Sequence, residues 1–164
     1  MHFTKMLTVC CAIMLSVTFS INADAQCLSA GFGQFPATTF TPLCNTSAES
    51  IVTNAWTDEY SVVAVLAGTE YTFASSVSTH LVTISADDGL TETTSGTGSV
   101  TWTAPADGEV RFYTHLSSAC DGAQISHTRS VQCGSTCPDG SVAGDPCDDM
   151  DASTVNDVVQ QDCS

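Results

Sequence analysis

The chain has 164 residues, and 18 acidic side chains against 3 basic ones give it a formal net charge of −15 at pH 7. Such a surface repels nucleic acid and anionic lipid, because both are bound through clustered Lys and Arg. The length predicts one domain followed by a short additional module.

Residues 1–25 have the features of a signal peptide. Lys5 precedes an apolar run over residues 6–19, and Ala23, Asp24 and Ala25 match the small-x-small rule for signal peptidase. Cleavage before Gln26 would leave a chain that is secreted or displayed at the cell surface. The apolar run is shorter than the roughly 20 residues of a membrane span. No later segment is longer, so we expect no membrane insertion.

The strand predictions follow in chain order over a domain spanning residues 26–133. Short segments rich in Thr, Ser and Val alternate apolar with polar positions, which is typical of strands. Turns rich in Gly and Asp separate them, and Asp87, Asp88 and Gly89 form one such predicted turn. We expect an all-β, antiparallel, jelly-roll-like β-sandwich of about seven to eight strands. The predicted strands cover residues 51–56, 60–66, 70–76, 81–85, 99–104, 109–115 and 125–131.

Alternation within these strands also predicts which side chains face the core. Tyr71 with Phe73, Val82 with Ile84, and Val100 with Trp102 are expected to share inward faces. In the strand over 109–115, Val110 and Phe112 are predicted inward, opposite Arg111 and Tyr113. In the strand over 60–66, the predicted inward face carries Tyr60, Val62, Ala64 and Leu66.

Residues 134–164 differ in character and are predicted to be an irregular, acidic, disulfide-bearing tail. From Cys137 onward they hold seven Asp and no basic residue, with no aromatic side chain. Their apolar content is too low to offset the entropy of ordering the segment. Disulfides or bound cations would have to supply the remaining stability.

Seven of the nine cysteines follow the signal peptide, and in an exported protein they predict disulfides. Cys44–Cys120 is expected to join the start of the domain to a late strand, and Cys27–Cys133 to clamp its two ends. Sequence does not fix this connectivity. Because seven is odd, either one thiol is free or, as we prefer, its partner cysteine lies beyond Ser164 in a longer protein. The seven are Cys27, Cys44, Cys120, Cys133, Cys137, Cys147 and Cys163.

Three segments in order, residues 59–73, 81–85 and 101–115, resemble β-sandwich modules of exported Bacteroidetes proteins. Those modules are similar to bacterial pre-peptidase C-terminal domains. The resemblance covers residues 27–133. It implies an accessory domain without catalytic residues, whose partners are the other domains of a longer secreted or surface protein.

Residues 144–164 resemble a short Cys/Asp repeat, loosely similar to thrombospondin type-3 calcium repeats, with Met150 where Gly is usual. Calcium prefers six to eight oxygen ligands, and closely spaced carboxylates supply them. Calcium is therefore a candidate cofactor of this segment; the alternative, which we prefer, is a solvated acidic linker held by disulfides. The candidate ligands are Asp148, Asp149, Asp151, Asn156 and Asp157.

No motif for catalysis is visible in the sequence. It contains neither a G-x-S-x-G elbow nor an HExxH pair. His80, His115 and His127 fall on separate strands or turns and are expected to be exposed. We predict that the protein is not an enzyme, and a pocket joining a histidine to a serine and a carboxylate would revive the hydrolase alternative.

Aromatic residues leave a binding function open. Tyr60, Tyr71 and Trp102 are predicted to pack in the core, whereas Trp56 and Tyr113 are candidates for ligand binding if they are exposed. The leading hypothesis is a non-catalytic secreted or cell-surface module with a structural or adhesive role, toward a glycan or a surface protein. The alternative is a carbohydrate-binding module that targets an attached enzyme to polysaccharide.

Overall fold

The computed structural model describes residues 26–134, which form nine strands in two sheets and contain no helix. The predicted all-β sandwich is therefore confirmed. Among these residues there is accordingly no helix long and apolar enough to cross a bilayer. The strands are β1 (Gly33–Gln34), β2 (Glu49–Ala55), β3 (Glu59–Val65), β4 (Glu70–Ser75), β5 (Leu81–Ser85), β6 (Thr94–Thr97), β7 (Ser99–Thr103), β8 (Gly108–His115) and β9 (His127–Cys133).

The strands pair as a five-stranded sheet, β1-β3-β8-β5-β6, and a four-stranded sheet, β2-β9-β4-β7. All pairs are antiparallel except β1 with β3. The chain passes from one sheet to the other at Gly98, between β6 and β7. Gly98 has φ +77, and a Cβ there would lie 2.9 Å from the Ser78 carbonyl oxygen, so glycine fits this crossing best.

Most predicted inward faces are confirmed, since Tyr71, Phe73, Val82, Ile84 and Phe112 are all fully buried between the sheets. Phe73 packs against two other rings, with its ring centroid 5.4 Å from that of Phe112 and 6.0 Å from that of Tyr71. The cluster is completed by Cys44, Ile51, Val63, Val65, Ala104, Val110, Val131 and Cys133, with Val100 and Trp102 partly buried against it.

The predicted inward face of β3 is wrong. Glu59, Ser61, Val63 and Val65 are the buried alternate positions of this strand, and Tyr60 lies on the outer face. That outer face is also apolar, with Val62 and Ala64 half-buried on it, and the segment before β2 runs along the edge of β3. The amides of Phe35 and Phe40 donate to the carbonyls of Tyr60 and Val62, at 2.8 and 2.9 Å.

One end of the core is polar, and we call it the polar end: Glu59, Ser75, His80, Thr114, His127 and Arg129. Arg129 is fully buried and donates to Glu59 Oε2 at 3.0 Å and to the Phe112 carbonyl at 3.2 Å. Glu59 Oε2 also accepts from the Trp56 amide. A buried ion pair of this kind is tolerated because both charges are paired and hydrogen-bonded.

Two disulfides are present, and the predicted pairing of their cysteines is wrong. Cys27 bonds Cys120, and Cys44 bonds Cys133. Cys44 meets Cys133 because the chain entering β2 runs beside the end of β9, where the Thr46 amide donates to the Cys133 carbonyl at 2.9 Å. Cys27 lies instead against the loop between β8 and β9, which holds Cys120.

Several sequence predictions fall outside the described residues. They are the signal peptide over residues 1–25, the acidic segment after residue 134 with Cys137, Cys147 and Cys163, and the calcium ligands Asp148, Asp149, Asp151, Asn156 and Asp157.

Candidate functional site

The three histidines are buried, which corrects the expectation that they would be exposed. Burial lowers the pKa of His80 and of His115, and burial, then His80 and Arg129, lowers the pKa of His127 to about 4. His80 and His127 meet edge to face at 4.7 Å between ring centroids. Ser75 Oγ contacts His80 Nδ1 and Thr114 Oγ1 contacts His127 Nε2, both at 3.0 Å.

His115 lies elsewhere, in a group with Ser29 and Asp58 that contains the residue types of a hydrolytic triad. Ser29 Oγ lies 3.3 Å from His115 Nε2 and donates to Asp58 Oδ1 at 3.1 Å. Asp58 Oδ1 lies 3.7 Å from the same nitrogen of His115. The serine and the carboxylate therefore meet one ring nitrogen, whereas a triad places them on opposite nitrogens.

The proton on His115 also has the wrong position for catalysis. His115 Nε2 lies 3.1 Å from the Ser29 carbonyl, and since a carbonyl only accepts, Nε2 carries the hydrogen. It has no lone pair with which to take a proton from the Ser29 hydroxyl. Within residues 26–134, His115 Nδ1 is buried and has no hydrogen-bond partner. The contact with the Ser29 carbonyl ties the segment before β1 to the end of β8.

Across the described residues, no group of three or more His, Cys, Asp or Glu is arranged to hold a metal ion. Neither of the two predicted ligand-binding residues is fully exposed. Tyr113 is 1% exposed, so it does not meet the condition of exposure. Trp56 is half-buried, and its ring meets the exposed ring of Phe32 edge to face at 5.5 Å.

The outer face of the five-stranded sheet carries a groove with a volume of 580 Å³. Its floor is formed by Tyr60 and Val62 of β3 and by Glu109 and Arg111 of β8. Val62 and Arg111 are register partners, so the two strands run side by side beneath it. One wall contains Gln34, Ala37 and Thr39, and the other contains Ala86, Asp87 and Asp88. We call this the outer groove.

Arg111 is held at the outer groove by three contacts. Its guanidinium lies over the Tyr60 ring at 4.6 Å from the centroid, and it forms an ion pair with Asp88 of the wall. Behind it, a Cβ at Gly89 would lie 2.9 Å from Arg111 Nη1 and 2.5 Å from the Tyr113 hydroxyl. The loop after β5 therefore packs directly on these side chains, and Gly89, at φ +83, has no room for another residue.

Asp87 fixes the wall that contains Asp88. Its Oδ1 accepts from the Ser85 hydroxyl and from the amides of Leu90 and Thr91, while its Oδ2 accepts from the Thr91 hydroxyl. The hydrogen bonds from the Thr91 hydroxyl, which has the largest effect, and from the Thr91 amide lower the pKa of Asp87 to about 2. The sequence predicted this turn from Asp87, Asp88 and Gly89 but not its position beside the outer groove.

The outer groove is negative despite its arginine. Asp87, Asp88 and Glu109 outnumber Arg111 along its lining. Residues 26–134 contain ten acidic residues and two basic ones, giving a formal charge of −8 with histidines neutral. Arg129 is the other basic residue, and it is fully buried. Arg111 is thus the one basic side chain of these residues that solvent reaches.

No family model matches the sequence, and no curated protein gives a significant match. Among solved structures, the fold is similar to PliG of Aeromonas hydrophila, a periplasmic inhibitor of g-type lysozyme, at 17% identity and a TM-score of 0.38, covering 58% of this chain and 96% of that one. It is also similar to the pre-peptidase C-terminal domain of a Bacillus anthracis collagenase, at 11% identity and a TM-score of 0.37, covering 60% and 96%.

The second of these is a domain of the type that the sequence resembles. The Bacteroidetes affiliation and the calcium-type repeat of the tail stay predictions.

Proposed function

We propose that the protein is a non-catalytic, exported accessory module whose role is structural or adhesive within a longer secreted or surface protein. The observation that carries this proposal is the geometry of Ser29, His115 and Asp58. These residues hold the atoms of a hydrolytic site but place the proton on the nitrogen that would have to accept one. Export is supported by the two disulfides, which persist in oxidising compartments.

The test is a search for serine reactivity in the full exported chain. A fluorophosphonate probe and a p-nitrophenyl ester should give no labelling or hydrolysis above that of Ser29→Ala. His115→Ala serves as a second variant. If His115 were a working base, the unsubstituted chain would be active and both substitutions would abolish that activity. Labelling of Ser29 that depends on His115 would overturn the proposal.

Carbohydrate binding is a second proposal, favoured by the Phe32–Trp56 ring pair at the surface. Sugars pack on aromatic faces, and the exposed Phe32 ring with the half-buried Trp56 ring offers such a contact. The measurement is a pull-down on cellulose, chitin and starch, with Trp56→Ala against Leu90→Ala, an exposed apolar control. Loss of retention in Trp56→Ala alone supports this role, and equal retention of all three proteins contradicts it.

Calcium binding by the tail is a further proposal, which rests on the sequence pattern of Asp148 to Asp157. Titration calorimetry of the full exported chain with CaCl₂ should give binding heat. We expect the Asp149→Ala/Asp151→Ala double variant to lose it, and Glu70→Gln, which removes a carboxylate from the sandwich instead, to retain it. Absence of heat in the unsubstituted chain rules the proposal out.

A further inference from the structure

We propose that the outer groove binds a cationic, extended ligand, namely a peptide segment that carries arginine or lysine side chains. This inference rests on the proposed non-catalytic binding role and names the chemistry of the partner. It is drawn from the shape of the outer groove, from the position of its carboxylates and from the cation that already lies in it.

The outer groove has a floor and two fixed walls. The floor follows two neighbouring strands, and the walls come from separate segments, the one before β2 and the loop after β5. Each wall is tied to the floor by a side-chain contact. Thr39 donates to Glu109 Oε1 at 3.0 Å on one side, and Asp88 pairs with Arg111 on the other. The walls are therefore fixed before a ligand arrives.

The carboxylates lie on both sides of the outer groove. Asp88 stands in one wall with a side chain that is 85% exposed, and Glu109 stands on the floor beside the opposite wall. A ligand that pairs with both must present at least two positive charges at a distance from each other. A basic peptide does this, and the charge of −8 on residues 26–134 attracts it from a distance.

Arg111 shows how a planar cation fits. Its guanidinium lies over the Tyr60 ring and pairs with Asp88, which is the aromatic-plus-carboxylate setting that cations prefer. Because this ion pair is exposed, it is worth at most about 1 kcal/mol and can be exchanged. A guanidinium or ammonium from the ligand would take the place of Arg111 at Asp88. A stacked sugar, by contrast, would find that face of Tyr60 covered.

The experiment measures anisotropy of fluorescein-labelled hexa-arginine titrated with the full exported chain. We expect Asp88→Asn/Glu109→Gln to weaken binding by about tenfold. The matched control, Glu70→Gln/Asp107→Asn, removes the same charge outside the outer groove and should change binding by less than about twofold. Equal losses in the two double variants would mean that only the overall field attracts the peptide, and would overturn the site.

Arg111→Ala separates the two signs of ligand charge. Without Arg111, Asp88 is free to pair with the ligand, so hexa-arginine should bind more tightly. If the outer groove instead bound anions, the substitution would abolish binding of labelled hexa-glutamate. Tighter binding supports the proposal, and hexa-glutamate binding that depends on Arg111 overturns it. Binding of a chitosan hexamer without binding of the peptide would also overturn it, in favour of an amino sugar. None of these outcomes affects the Ser29 reactivity test, so the two proposals fail independently.

Discussion

The two ends of the sandwich core contain different types of buried residue. At one end Phe73, Tyr71, Val65 and Val131 pack with the Cys44–Cys133 disulfide. At the polar end an arginine, a glutamate and two histidines take the same kind of buried position. The apolar end is stabilised by burial that needs no specific partner, whereas each group at the polar end depends on a particular neighbour.

The two ends should therefore respond differently to a single substitution. An apolar side chain that is truncated leaves a cavity whose cost depends on its size. A polar side chain that is removed leaves its partner charged or unbonded in a place that water does not reach.

Truncation at the apolar end should have the largest effect. Phe73→Ala is expected to lower the free energy of unfolding by about 4 kcal/mol, because the ring is fully buried between Tyr71 and Phe112. Guanidinium unfolding under oxidising conditions measures it. Val100→Ala, at the register partner on the sheet edge, is the control and should cost clearly less. A loss below about 2 kcal/mol would mean that this end can collapse around the cavity.

At the polar end, Glu59→Gln should cost roughly 3 kcal/mol, since the Arg129 cation would stay buried without its counter-ion. The sharper comparison is Glu59→Leu/Arg129→Met, which removes both charges and should recover most of that loss. The same unfolding measurement applies. If the double variant is as unstable as Glu59→Gln, the ion pair itself makes a net contribution to the stability of the fold. The cost of Glu59→Gln would then not come from leaving Arg129 unpaired, and the two ends would not differ in the way described.

The buried histidines should make the polar end sensitive to acid. The pKa of His127 is lowered to about 4, so the unfolded chain binds protons more readily than the folded one below its ordinary value of 6.5. Stability is therefore full above pH 6.5 and falls as the pH drops toward 4. We expect a loss of roughly 2 kcal/mol over this window. The free energy of unfolding, measured at several pH values, should change less with pH in His127→Gln than in the unsubstituted chain. An equal dependence on pH in the two proteins would contradict the role of His127.

The smallest effect is expected on the surface. Asp88→Asn removes an ion-pair partner of Arg111, as Glu59→Gln does for Arg129, but the Asp88 side chain is 85% exposed. Water and salt can replace the lost partner, so we expect a change below about 1 kcal/mol. A loss comparable to that of Glu59→Gln would show that burial is not what separates the two arginines.

Much of the fold could be predicted because strand alternation is a local property. Seven strands, and the inward positions of Phe73 and Phe112, follow from it. The short β1 and the polar β6 do not, since Gly33–Gln34 and Thr94–Thr97 carry no apolar alternation. For β3, both faces carry apolar side chains, and its inward Glu59 is matched by Arg129, 70 residues away. No local pattern contains that pairing.

The outer groove was beyond prediction for a related reason. It joins residues near positions 34–39, 60–62, 86–88 and 109–111, which only the tertiary fold brings together. The outward direction of Arg111 was predicted correctly, and its partner Asp88 was recognised only as part of a turn. Tyr113, also outward, is buried because the loop at Gly89 packs on its hydroxyl.

The two disulfides also determine how the domain responds to a pulling force applied between Cys27 and Cys133. The shortest covalent path crosses from Cys27 to Cys120 and then follows the chain through β9. Even with every strand unzipped, that path reaches only about 50 Å, against about 370 Å for the unbridged chain. As part of a tether at a surface, the oxidised domain would act as a short, nearly inextensible link, and chemical reduction would let it lengthen several-fold.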